Sequence, residues 1–204
     1  MVKSKIRLAQ IMEKIRNALC QTRKYLEIYR YLDEHQKSEQ FEQAARLFST
    51  ISDAVWREAI LGITRLTDDD PESINFKMLL NMAENHPRIL RHGQVGAREV
   101  VVTSQGKLAS LDPVLKALRP VRDRELAHLD RKHLNDPAVL SPEVIKIQDI
   151  SHCVDTLNMV LSDIWQALFG EPLPEDQESG QILDEMESLW KILEKDTEMA
   201  RRSE

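Results

Sequence analysis

A short stretch near the middle of the chain carries an arginine and a histidine whose types and spacing suit phosphate chemistry. Arg122 and Asp123 are followed, after four residues, by His128. Histidine is the side chain whose unperturbed pKa suits proton transfer near neutral pH. The guanidinium group of arginine stays charged and matches two phosphate oxygens at once. Together these groups suit cleavage of RNA by its own 2′-hydroxyl, which needs a base, an acid and positive charge at the phosphate.

The helix predicted to carry these residues has an apolar stripe that charged side chains interrupt. At about 100° per residue, Arg122 and Glu125 fall on the same side as the leucines, and His128 lies at the edge. The stripe consists of Leu111, Leu115, Leu118 and Leu129. Charged groups at core-facing positions are costly unless they are paired or used. Two interpretations stay open: a functional site, or a partly buried ion pair between Arg122 and a carboxylate elsewhere.

This helix is predicted to span residues 112–130. Asp112 is its predicted N-cap, and Pro113 fits the first turn because an N–H group there has no helical partner in any case. Pro120 removes one helical hydrogen bond, so we expect a kink two residues before Arg122.

Two segments resemble motifs of one known family. Arg122, Asp123 and His128 resemble the signature of HEPN domains, which is an arginine, a polar residue, three or four further residues and a histidine. The longer string VRDRELAHLD at 121–130 is similar to the R-D-K-x-x-A-H-x-D run of the abortive-infection, AbiU-type branch. Upstream, RLTD at 65–68 resembles the R-L-x-D end of a helix in that branch. The resemblance covers roughly residues 1–170.

HEPN domains are all-helical, and many are metal-independent ribonucleases of toxin–antitoxin, abortive-infection and CRISPR systems. The resemblance implies an all-α antiparallel bundle of four to six helices with an appended C-terminal helix. It also implies RNA as the substrate, a cleft between the subunits of a homodimer, an antitoxin protein as a partner, and no cofactor or metal. The predicted catalytic residues are Arg122, His128 and Asp123, and the predicted substrate contacts are Arg124, Arg119, Arg65 and Asp68.

Two arginines compete for the role beside the histidine. Arg124 lies four residues before His128 and is therefore the nearer neighbour on a helix. Arg122 is six residues away, but both the family pattern and its place in the apolar stripe favour it. We therefore predict Arg122 as the primary group and Arg124 as the secondary one, with Asp123 orienting Arg122 or His128.

Other functions are weighed against this one. Glu125 and His128 have the spacing of a di-iron ligand pair, but the chain contains no second Glu-x-x-His. The run Asp68–Asp70 suits a solvated loop better than a cation site, because no second ligand group accompanies it. A helical module that binds RNA, nucleotides or a protein without cutting is the main alternative. A plain helical dimer with an internal Arg–Glu pair is the third interpretation, after the ribonuclease and the binding module.

The composition of the chain further limits its fold class and its cellular location. Charged residues make up 30 % of the 204 residues and aromatics 5 %, with only 6 glycines, which favours helices. No run approaches the roughly 20 apolar residues of a membrane span, and the charged N-terminus lacks the apolar core of a signal peptide. Cys20 and Cys153 are expected to be reduced thiols of a cytoplasmic protein. Although the net charge is −6, residues 86–132 carry a surplus of basic side chains.

Hydrophobic periodicity predicts the elements around the site. We expect a domain at 1–170 and an acidic linker with a final helix at 171–204, which packs on the bundle, joins a dimer or covers the basic site. Ala59 and Gly62 should allow a partner helix to approach closely. Residues 88–107 are long for a structureless loop, so either a short helix is hidden there or the segment is mobile, and a flap that contacts RNA is one possibility. A plain surface connection is the prediction preferred. The other predicted helices span residues 3–34, 38–68, 75–85, 141–169 and 177–200.

Overall fold

A computed structural model describes residues 2–90, 96–127, 145–175 and 177–203, and every regular element among them is helical. The all-α prediction is therefore confirmed. A single 3-10 turn, Pro87–Ile89, follows the fourth helix. The α-helices are α1 (Val2–His35), α2 (Glu39–Gln43), α3 (Ala45–Leu66), α4 (Phe76–Asn85), α5 (Ala97–Ser110), α6 (Asp112–Ala127), α7 (Ile147–Phe169) and α8 (Gln177–Ser203).

The helix predicted at 38–68 is two helices, because the backbone leaves helical geometry at Ala44 (φ −122°, ψ 31°). Ser38 caps α2 as predicted, since its side chain accepts a hydrogen bond from the Phe41 amide at 3.2 Å. The break brings the rings of Phe41 and Phe48 to a centroid distance of 5.3 Å. In one continuous helix, residues seven apart are separated by about 10 Å along the axis. Aromatic packing therefore accounts for the interruption.

The prediction of a surface connection at 88–107 is wrong for its second half, which belongs to α5. Gly96 precedes the helix, and Val100, Val101 and Ser104 are buried. Three consecutive valines do not show helical periodicity, and Gly106 is a poor helix former. The helix packs against α4 and α7, and it is the hidden helix that the length of the segment had suggested as an alternative.

The α6 helix matches its prediction closely. Leu111, Leu115 and Leu118 are all buried, as the stripe requires. The carbonyl group of Leu111 accepts the first helical hydrogen bond, from Leu115 at 2.9 Å. Leu111 rather than Asp112 therefore occupies the cap position. The helix continues through Pro120.

The start of α7 differs from the predicted position at residue 141. The helix begins at Ile147, and the backbone amide of Lys146 donates to the Asp149 carboxylate at 3.2 Å. This local capping interaction marks the true start, while residues 141–144 lie outside the described residues. At the other end, Gly170 adopts the left-handed conformation (φ 80°) of the predicted C-terminal cap.

The chain divides into two compact units. Unit 1 comprises Met1–Thr22 and Ile60–Pro174, and unit 2 comprises Arg23–Ala59 and Glu175–Glu204. The predicted domain boundary after residue 170 stays a prediction. Unit 1 contains all the described residues of the candidate site, so its packing positions that site.

Unit 1 is organised around α7, whose buried face is almost entirely aliphatic. Helix α5 packs on α7, and α4 and α6 pack on α5. At Gly62 in α3, an added methyl group would collide with the hydroxyl group of Thr22 in α1. The predicted close helix approach at Gly62 is therefore confirmed, with α1 as the partner.

Unit 2 has an aromatic core. Leu32, Phe48 and Trp190 are buried together, and Tyr31 stacks on His35 at a centroid distance of 4.2 Å. Helix α8 packs in this unit, where its Trp190 lies edge-on to His35. Of the three roles considered for the acidic C-terminal helix, packing within the protein is the one observed.

The cysteines and the helix compositions bear on the remaining predictions. Cys20 and Cys153 are both free thiols, and burial raises the pKa of Cys153 to about 11. Among the described residues, no helix combines the length and apolar character needed to cross a membrane.

Candidate functional site

The loop between α3 and α4 is built around one buried asparagine. The side-chain amide of Asn75 donates to the carbonyl oxygens of Asp68 at 2.9 Å and Asp70 at 3.1 Å. Its side-chain oxygen accepts a hydrogen bond from the Met78 amide at 2.8 Å, which caps α4. Asn75 therefore fixes the backbone of the acidic turn relative to α4. The sequence predicted a helix start here but not this role, although asparagine is common in such turns.

The carboxylates of the acidic turn also support its backbone. Asp68 Oδ1 accepts from the Asp69 amide at 2.7 Å, and Asp70 Oδ1 accepts from the Glu72 amide at 2.9 Å. These contacts tie the side chains of Asp68 and Asp70 to the backbone of the turn. No group of three or more candidate metal ligands occurs among the residues that the structure describes.

Arg122 joins the two predicted motifs. Its Nη1 atom lies 2.9 Å from Asp68 Oδ2, across 54 positions of sequence. Its Nε and Nη2 atoms each lie 2.8 Å from Asp123 Oδ1. Only 21 % of the Arg122 side chain is exposed, so its predicted intrusion into the packed side of α6 is observed.

Two neighbouring carboxylates stabilise the positive charge of Arg122. The hydrogen bond to Asp123 is the main cause of a raised pKa, and the proximity of Asp68 raises it further. Asp123 contacts Arg122, as predicted. The partly buried ion pair between Arg122 and Asp68 is the structural alternative to a functional site that the sequence left open.

A second arginine of α6 reaches the same turn. Arg119 Nη2 lies 3.5 Å from Asp69 Oδ2, and Lys77 Nζ of α4 lies 3.1 Å from Asp69 Oδ1. The hydrogen bond from Lys77 is the main cause of a lowered Asp69 pKa, and Arg119 adds to it. Arg119 therefore lies beside the acidic turn, one helical turn before Arg122.

The charges around the turn nearly cancel. Three cations, Arg119, Arg122 and Lys77, face the carboxylates of Asp68, Asp69 and Asp123. A ligand phosphate would therefore compete with carboxylates for the same donors. The arrangement can orient a guanidinium group firmly, and it leaves part of that group available.

The other predicted site residues have different positions. Arg65 is exposed near the end of α3, and no described residue forms an ion pair with it. Arg124 and Glu125 belong to α6, but their side chains are not among the described parts. His128 lies outside the described residues, as do Leu129 and Asp130. The structure thus brings together Arg122, Asp123, Asp68 and Arg119.

Comparison with known proteins identifies the family. The family model described as AbiU2, HEPN_AbiU2, matches residues 5–187. Neither the curated proteins nor the solved structures contain a match to the chain. Because the match spans most of the 204 residues, including both segments that meet at Arg122, this chain belongs to the HEPN AbiU2 family, a group of abortive-infection-associated helical modules.

Proposed function

We propose that this protein is a metal-independent endoribonuclease of a phage-defence or toxin–antitoxin system. The observation that carries the proposal is the 2.9 Å contact between Arg122 and Asp68, which unites the two motif segments of the family. A partly buried arginine held by carboxylates from two segments is a well-positioned group for a phosphate. The proposal assigns the proton transfers to His128.

The reaction is an attack by the RNA 2′-hydroxyl on the adjacent phosphorus. A base removes the proton from the 2′-oxygen, and an acid protonates the departing 5′-oxygen. The products are a 2′,3′-cyclic phosphate and a 5′-hydroxyl end. His128 would serve one transfer, and His128 of the partner subunit in a homodimer would serve the other. Imidazole suits both roles because its ordinary pKa lies near 6.5.

Arg122 would stabilise the charge that develops on the phosphate oxygens. A guanidinium group carries five N–H donors. Asp123 engages one on Nε and one on Nη2, and Asp68 engages one on Nη1. Among the residues that the structure describes, no other group engages Arg122, which leaves one N–H on each Nη atom for a phosphate oxygen. Asp68 and Asp123 are therefore positioning residues, which hold the guanidinium plane in one orientation.

The test is cleavage of a single-stranded RNA by the purified full-length protein in EDTA. We expect cyclic-phosphate ends, and a loss of rate of roughly 10²- to 10⁴-fold in His128→Ala. His152→Ala is the matched control, because His152 is an exposed histidine of α7. Equal rates in the His128→Ala and His152→Ala variants, or cleavage that requires a divalent metal, would contradict the proposal.

The second candidate is an HEPN module that binds RNA, a nucleotide or a protein without cutting. The near-neutral charge balance at the acidic turn favours it, because Arg122 already faces two carboxylates. RNA binding by the wild-type chain with no cleavage at any protein concentration would select this candidate. Protein capture by the chain with neither RNA binding nor cleavage would select its protein-binding form.

A further inference from the structure

A cleft in unit 1 borders the candidate site but plays no part in the mechanism described above. Its volume is about 560 Å³, and it is lined by the first turns of α1, the acidic turn and α4. Pockets that bind small ligands usually measure about 300–1,000 Å³. The cleft is therefore large enough for one nucleotide.

Two basic side chains of α1 give this cleft unpaired positive charge. Lys3 and Arg7 line it and are exposed, and no described carboxylate forms an ion pair with either. The acids on the opposite side have partners of their own. Asp69 is bonded to Lys77, and Asp70 accepts a backbone amide. Lys3 and Arg7 therefore remain available to an anionic ligand.

The α4 side of the cleft has a different character. Met78 and Met82 line it and are half-buried, and Asn81 is exposed between them. Methionine forms adaptable contacts with flat aromatic rings, and the asparagine amide can both donate and accept hydrogen bonds. Positive charge on one side with sulfur and amide groups on the other matches a phosphate joined to a base.

The cleft adjoins the predicted cleavage residues through the acidic turn. Asp69 lines the cleft and also accepts the hydrogen bond from Arg119. The preceding residue, Asp68, pairs with Arg122, and consecutive Cα atoms are about 3.8 Å apart. The acidic turn therefore borders the cleft on one side and pairs with Arg122 through the adjacent residue.

The geometry points to a nucleotide subsite in this cleft, which binds a nucleotide of the RNA strand close to the one that is cut. Lys3 and Arg7 contact its phosphate, and Met78 and Met82 pack against its base. This inference rests on the proposed function, since it takes RNA as the substrate. It adds a positioning role for the N-terminal turns of α1, which the Arg–His motif does not include.

The experiment measures binding of a fluorescent single-stranded RNA of about 12 nucleotides, in a His128→Ala background that prevents cleavage. We expect Lys3→Ala with Arg7→Ala to weaken binding at least about fivefold. The slope of log affinity against log salt should fall by about 0.7, because the two side chains neutralise one phosphate and each phosphate contact to a single strand contributes about 0.7. Lys14→Ala with Arg98→Ala is the matched control, since both residues are exposed in unit 1 and neither lines the cleft.

A second variant blocks the cleft without changing its charge. Asn81→Trp should weaken binding by a similar factor and leave the salt slope unchanged. Asn17→Trp is its control, because Asn17 is exposed on α1 and does not line the cleft. Circular dichroism and thermal unfolding of each variant check that the fold is retained.

The outcomes separate the two proposals. If the wild-type chain cuts RNA but the cleft variants bind it as their controls do, the subsite is overturned and the proposed function stands. If neither the wild-type chain nor any variant binds RNA, both fail. A salt slope that falls equally in the Lys3/Arg7 and Lys14/Arg98 variants would show diffuse attraction and overturn the subsite.

Discussion

Two ion pairs of unit 1 look alike and differ in what surrounds them. Arg122–Asp68 joins α6 to the acidic turn at 2.9 Å, and Lys107–Asp163 joins α5 to α7 at 2.6 Å. Each connects positions more than 50 residues apart, and each is partly exposed. Partly exposed pairs of this kind contribute little to stability, typically about 0.2–1 kcal/mol.

The surroundings set them apart. Lys107 has one carboxylate partner, and its ammonium group is a point charge without a preferred plane. Arg122 has two carboxylate partners, and Arg119 and Lys77 share a third carboxylate beside it. A cross-helix ion pair is therefore not in itself a sign of a site. The planar donor, held from two sides with N–H groups to spare, is the distinguishing feature.

The largest expected effect comes from exchanging arginine and lysine, which keeps the charge of each cation and changes only its geometry. Arg122→Lys keeps the charge but loses the planar fork, so we expect RNA cleavage to fall roughly 10²-fold, as for the loss of one transition-state donor. Lys107→Arg should change the rate less than about twofold, because that pair has no role in the proposed mechanism. Single-turnover cleavage assays measure both.

An unchanged rate in Arg122→Lys would mean that positive charge alone suffices at this position. The planar donor would then not distinguish the two ion pairs, because they would differ only in their position in the structure. Unfolding curves for both variants ensure that a lost rate is not a lost fold.

The next largest effect is expected when the carboxylate partner of each cation is replaced by an amide. Asp68→Asn removes one of the groups that orient Arg122, and we expect cleavage to fall about tenfold, or 1.4 kcal/mol in activation free energy. Asp163→Asn is the matched change in the other pair and should leave cleavage unaltered. The measurement is the single-turnover rate at saturating protein.

A faster reaction in Asp68→Asn would reverse the assignment. It would mean that Asp68 competes with the phosphate for Arg122 rather than orienting it. Tighter RNA binding by the same variant in the His128→Ala background would accompany that result.

A smaller effect tests the assumption that both pairs contribute little to stability. A double-mutant cycle with Lys107→Ala and Asp163→Ala should give a coupling free energy below about 1 kcal/mol. The corresponding cycle with Arg122→Ala and Asp68→Ala should give a similar value. Urea unfolding of the seven proteins, which are the wild type, four single variants and two double variants, provides both numbers. A much larger coupling for Arg122–Asp68 would favour a mainly structural role for that pair.

The smallest effect is a change of pKa at the acidic turn. The hydrogen bond from Lys77 is the main cause of the lowered Asp69 pKa, so Lys77→Ala should raise that pKa toward 3.8. Arg119→Ala should raise it less, because its contribution is the smaller one. The associated stability is present above the unfolded-state pKa and is lost as pH falls through the lowered folded-state pKa. A carbon-13 NMR titration of the Asp69 carboxyl group measures both shifts, and an effect of Arg119→Ala larger than that of Lys77→Ala would contradict the assignment.

Much of the candidate site was predictable because local signals agree there. The intrusion of Arg122 into a leucine stripe follows from helix periodicity, whereas the role of Asp123 came from the family resemblance. Asp68 was predicted only through the family resemblance. The pairing of Asp68 with Arg122 spans 54 positions, and no periodicity within either helix specifies such a contact.

The errors in the predicted fold occur where packing contacts, rather than local sequence signals, determine the structure. Helix α5 packs against distant segments, and the break at Ala44 accompanies the packing of Phe41 on Phe48, so the apolar spacing showed neither feature. The same is true of the cleft, whose basic side comes from Lys3 and Arg7 and whose methionines come from α4. Sequence patterns locate an element well when its own residues determine it, and poorly when its neighbours do.

The junction between α5 and α6 has a consequence for how this chain can vary in length. Only Leu111 separates the two helices, and it is buried with φ −82° and ψ −12°. One extra residue there would turn α6 by about 100° and advance it by about 1.5 Å, so Arg122 would no longer face Asp68. Insertions and deletions should therefore be excluded at this joint, because its length sets which side of α6 faces the acidic turn.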